Sequence, residues 1–187
     1  MNKTLLSAAL VATLGALAVV PAAYAAQNST PDGTIQIIGL VAANTCTVNA
    51  NGAGSTAGTV SLPTVYASNF SGAGSSTGKT GFNIAVSGCD NNLSTVTTYW
   101  SGSNINSTDG NLKNTATSGS NAEVRLRNSD NSIIALGATT PASQNSEVVN
   151  LNNGAATLNY SAEYYATAAT TTTGKVGTSV SFTMVYQ

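Results

Sequence analysis

The chain has 187 residues, six basic and seven acidic side chains and no histidine, and only 7% of it is charged, where about 25% is usual. With no histidine, no basic run and only scattered carboxylates, it shows no acid/base or metal-binding constellation and no surface suited to nucleic acid or anionic membranes. Neither catalysis nor a cofactor is therefore expected. Polarity comes instead from Ser, Thr, Asn and Gly, and regularly spaced β-branched and aromatic residues between them point to folded β structure rather than disorder.

Lys3, an apolar run from Leu5 to Val20 and the small residues ending in Ala23-Tyr24-Ala25 form a secretory signal peptide over residues 1–25. The run is short for a membrane anchor and lacks a stop-transfer flank, so no membrane insertion is expected after cleavage. The leader takes Lys3 with it, which leaves five basic residues against seven acidic and a net charge of −2. The remaining 162 residues suit a single domain with a real core. The exported chain has two cysteines, Cys46 and Cys89, and one intramolecular disulfide is the simplest reading.

In chain order, Gly33–Val48 reads as an extended segment with Ile35, Ile37, Gly39 and Val41 on one face and Ile38 and Leu40 on the other. Apolar residues in both phases imply burial on both faces, or two partners for one segment. Thr59–Tyr66 carries Val60, Leu62 and Val65 around Pro63, which suits an edge strand or an irregular crossing. Lys79–Cys89 alternates, with Phe82, Ile84 and Val86 on its inner face. Leu93–Trp100 is a weaker strand, and the loop Ser101–Ser120 has possible pairing around Leu112.

Ala122–Arg127 turns Val124 and Leu126 inward and Glu123, Arg125 and Arg127 outward, where such charges are normally solvated; Ile133–Leu136 is short and apolar. Glu147–Leu151, the turn Asn153-Gly154 and Thr157–Ala166 predict a hairpin with Leu158, Tyr160, Ala162 and Tyr164 on one face. Val176–Gln187 ends the sequence with Val180, Phe182, Met184 and Tyr186 at period two. No stretch keeps a 3.6-residue period over three turns. Several short strands separated by Gly/Asn/Ser turns predict an all-β, immunoglobulin-like sandwich. An apolar last strand with nothing after it would leave an open groove with unpaired backbone groups.

The segment T-I-Q-I-I-G-L-V before Cys46, F-N-I-A-V-S-G-C ending at Cys89, L-N-Y-S-A-E-Y-Y-A-T, the penultimate Tyr186 and Gly174, fourteenth from the end, together resemble chaperone–usher fimbrial subunits. The likeness spans essentially the whole chain and is greatest to type 1 major subunits. It implies a pilin domain (residues 42–187) lacking its last strand, and an N-terminal donor-strand extension (residues 26–41). A periplasmic chaperone, and then the extension of a neighbouring subunit, would supply the missing strand during assembly at an outer-membrane usher. By the same resemblance, Ile35, Ile37, Gly39 and Val41 are donor residues. Val180, Phe182, Met184 and Tyr186 line or flank the acceptor groove, and Gly174 and Tyr186 belong to the chaperone-recognition pattern. The expected location is the cell-surface fimbrium, reached through the periplasm, in a homopolymer with identical or related pilins. A minor or adaptor pilin and a free-standing secreted binding sandwich are the alternatives.

Overall fold

The computed structural model describes Gln36 and residues 46–187. The expectations for the leader and for Ile35, Ile37, Gly39 and Val41 lie outside the described residues. The described residues form seven strands: β1 (Thr47–Ala50), β2 (Ser76–Ser87), β3 (Thr95–Ser101), β4 (Glu123–Asn128), β5 (Val148–Asn150), β6 (Ala156–Tyr165) and β7 (Ser181–Tyr186). One sheet runs β1-β2-β6-β4 and the other β5-β3-β7, and every pairing is antiparallel. Among the described residues the only helical element is a 3-10 turn at Ala67–Asn69.

The period-two segments bury the faces their spacing predicts. Ile84 and Val86 of β2, Val96 and Trp100 of β3, Val124 and Leu126 of β4, and Leu158, Tyr160 and Ala162 of β6 form one core between the sheets, joined by Ile134 and Leu136. Each fully buried large apolar side chain contributes roughly 1.5–3 kcal/mol. An aromatic group spans the layers, with Trp100 edge-on to Tyr160 at 5.2 Å and Phe182 6.0 Å from Trp100. Inside it the Tyr160 hydroxyl and Thr98 Oγ1 are hydrogen-bonded at 2.9 Å, giving both buried hydroxyls a partner. Cys46 and Cys89 are joined in a disulfide that ties the start of β1 to the end of β2. Residues 59–66 cross irregularly, with Val60 and Leu62 half-buried. Leu112 makes isolated bridges to Ile105 and Val124, the pairing expected inside that loop.

Two expectations need correction. The tight turn at Asn153-Gly154 exists, with φ of 50° and 70° and reciprocal bonds between Asn152 and Ala155. Its arms, however, enter opposite sheets: β5 pairs with β3, whereas β6 lies between β2 and β4. With both edges of β6 occupied, no ladder is left for β5.

The charges on β4 are not simply solvated. Arg127 Nε donates to Glu163 Oε1 at 2.7 Å, and Arg125 lies 3.8 Å over the Tyr165 ring while its Nε donates to Asn111. Glu123 is buried and accepts from Asn106 at 2.8 Å. That burial raises its pKa, and the nearby Asp109 carboxylate pushes in the same direction. An outward phase guarantees a side chain only the far face of the sheet. Here the loop before β4 covers part of that face.

Candidate functional site: an open groove beside the last strand

β7 pairs with β3 on one edge, and among the described residues no strand pairs with its other edge. Thr95 and Gln187 exchange both backbone hydrogen bonds, at 2.9 and 3.0 Å. Hydrogen-bonded and non-bonded pairs alternate along an antiparallel ladder. Val185, Thr183 and Ser181 therefore bond to β3, while Tyr186, Met184 and Phe182 present N–H and C=O to the free edge. The same three residues turn their side chains toward the core and are only half-buried.

Against this edge lies a groove of about 1080 Å³. Its lining includes Phe182, Met184 and Tyr186, the approach to β7 from Val176 to Val180, and the irregular stretch containing Val60 and Leu62. Core residues of both sheets, among them Ile84, Trp100 and Leu126, also reach it. Apolar side chains here stand next to unpaired backbone groups, which together suit an extended chain that can add to the sheet and bury alternate side chains. Burial raises the pKa of the Tyr186 phenol above its ordinary value.

Val180, Phe182, Met184 and Tyr186 all line one groove. Gly174 does not line it and instead borders an adjoining cavity of about 400 Å³. Its φ is +152°, and a Cβ there would sit 2.6 Å from Gly119 C and Ser120 N. The crossing of two backbones accounts for this glycine. The sequence reading missed Val60, Leu62, Trp100 and Leu126 as groove residues. Their signal was ordinary apolar periodicity, which does not distinguish a closed core from an open one. Among the described residues, no group of three or more His, Cys, Asp or Glu side chains is placed to hold a metal.

A protein-family model described as "FimA: Type-1 fimbrial protein, A" matches residues 62–187. The chain belongs to the type 1 fimbrial protein family. The F17 fimbrial protein of Escherichia coli is 36% identical to this pilin over 178 residues, covering 91% of the chain and 96% of the relative. The major fimbrial subunit SMF-1 of Stenotrophomonas maltophilia is 38% identical over 161 residues, covering 83% and 92% respectively. Among solved structures, the Burkholderia pseudomallei antigen and type I fimbria protein superposes with a TM-score of 0.56 at 25% identity, over 76% of this chain and all of that one. The P pilus rod subunit PapA shares the fold, with a TM-score of 0.51 at 18% identity over 83% and 99% of the two chains. The protein is a structural fimbrial subunit, an incomplete immunoglobulin-like sandwich that forms polymers of pilins in the surface fimbrium.

Proposed function

We propose that this pilin polymerises by donor-strand exchange, the extension of one subunit (residues 26–41) completing the sandwich of the next. The observation that carries the reading is the free edge of β7 beside an apolar groove. Ile35, Ile37 and Val41 fill the groove at alternate positions, and Gly39 occupies the point where backbone must come closest. Several ladder hydrogen bonds at roughly 1 kcal/mol each add to two or three buried aliphatic side chains at about 1.5–3 kcal/mol each. Ordering the extension opposes this gain, yet dissociation requires withdrawing a whole strand.

The leader (residues 1–25) is cleaved on export. A periplasmic chaperone lends the first strand, with Gly174 and Tyr186 in its recognition pattern, and hands the domain (residues 42–187) to an outer-membrane usher. The subunit's role is mechanical, with no catalytic step.

Deleting residues 26–40 should abolish polymerisation while leaving chaperone binding intact; a deletion variant that still polymerises refutes the assignment. Fusing a second copy of residues 34–41 to the C-terminus through a short linker should yield a stable, self-complemented monomer. Equal stability of the unfused, chaperone-free monomer refutes the missing strand.

A further inference from the structure

The wall of the groove extends beyond β7. Val176, Thr178 and Val180 lie in its lining but belong to no strand, so no regular ladder holds them. What holds this stretch is the loop between β3 and β4. Asn114 Nδ2 donates to the carbonyls of Lys175 and Ser120, both at 2.8 Å. Its Oδ1 accepts from the N–H groups of Gly177 at 2.9 Å and Ala116 at 3.0 Å. All four hydrogen-bonding positions of the amide are used, and they bracket Val176 on both sides. Thr115 N–H also donates to Gly177 O at 2.8 Å, and Asn104 Nδ2 to Ser179 O at 3.1 Å. Among the described residues, no hydrogen bond ties residues 175–180 to the stretch containing Val60 and Leu62.

An apolar wall with support on one side only is drawn into the space it borders, because closing over the groove removes Val176 and Val180 from water. A groove narrowed in this way admits a strand slowly even when the filled state is unchanged. We propose that Asn114 is a positioning residue for strand addition, holding residues 175–177 back so that the groove is open before a donor arrives. The inference rests on the donor-strand reading and assigns to Asn114 control over the rate of strand insertion. A donor strand in place supports the wall from the groove side, so the clamp matters less once it is bound.

The test uses the full chain, held dilute, with a synthetic peptide of residues 33–43 as probe. The single tryptophan, Trp100, lines the groove and reports its occupancy by fluorescence. Asn114→Ala should slow peptide association about tenfold, as expected for losing a set of hydrogen bonds that pre-organises the site, and leave dissociation unchanged. Asn104→Ala, which loses two bonds to the wall, both to Ser179, should slow association less. Asn128→Ala removes an asparagine whose side chain makes three hydrogen bonds, to Ser132, Asn145 and Glu147, away from the groove. It should lower stability and leave association at the wild-type rate.

Wild-type association by Asn114→Ala, or equal slowing by Asn128→Ala, overturns the proposal. Should Asn114→Ala not fold, Asn104→Ala decides, slower association supporting the proposal and a wild-type rate overturning it. A peptide that fails to bind the wild-type chain removes the donor-strand reading and this inference with it. Binding to wild-type and Asn114→Ala at equal rates removes only the inference.

Discussion

Gln144 is fully buried, and its side chain performs the work of a missing strand. Oε1 accepts from Trp100 N–H at 2.9 Å, and Nε2 donates to Trp100 O at 2.7 Å, Leu136 O at 3.1 Å and Ala138 O at 3.0 Å. β5 covers β3 only from Thr95 to Thr97, so the Trp100 backbone on that edge has the Gln144 amide in place of a neighbouring strand. Gln144→Leu keeps the volume and removes every one of these bonds. It leaves the N–H and C=O of Trp100 unpaired in a dry site, at about 1–3 kcal/mol each, partly offset by the cheaper burial of an apolar side chain. The net loss should be about 3 kcal/mol, a large part of the roughly 5–15 kcal/mol by which domains of this kind are stable. Urea unfolding of the purified subunit should show the midpoint falling by about 1–3 M. Gln144→Glu keeps the acceptor and loses the donor; it should be at least as harmful at neutral pH and recover partly on acidification. A change below about 0.5 kcal/mol for Gln144→Leu would refute the view that this amide substitutes for a strand.

The Cys46–Cys89 bridge closes a separation of 43 residues. Replacing both cysteines by serine should cost about 4 kcal/mol on the chain-entropy model, read from unfolding of the oxidised protein against the double variant. Burial pushes the Tyr160 phenol up to about 12 from 10.0, against the opposing effect of its bond to Thr98. A raised folded-state pKa gives stability that is fully present below pH 10 and lost as pH rises to about 12. The loss from this residue should be about 3 kcal/mol, and Tyr160→Phe should flatten the decline in alkaline unfolding curves. Gly174→Ala should lower thermal stability by more than about 1 kcal/mol with no chaperone present. An unchanged melting temperature would mean that the close backbone crossing does not constrain this position.

The strands were legible wherever a side-chain period of two met β-branched or aromatic residues, as in β2, β6 and β7. Alternation is local, because successive side chains point to opposite faces whatever lies beyond. It therefore identified the core-facing sides of β2, β6 and β7, marked by Ile84, Leu158 and Phe182, without any knowledge of their neighbours. Two cysteines left only one intramolecular pairing, and the charge count already argued against nucleic acid. Family resemblance added the groove residues of β7.

Alternation does not choose the partner, and here only the tertiary structure decided. β5 and β6 are joined by the turn a hairpin would use, yet they part because β6 already has a neighbour on each edge. Asn114 and Gln144 resemble any other polar loop residues in the sequence. Their importance comes from backbone groups tens of residues away that lack a strand to bond them. At Gln144 the cost of leaving such groups unpaired is high because the fold has removed Trp100 from water. The same is true of the groove. Phe182, Met184 and Tyr186 have the pattern of a closed core, and it is the free edge of β7 that leaves them half-covered.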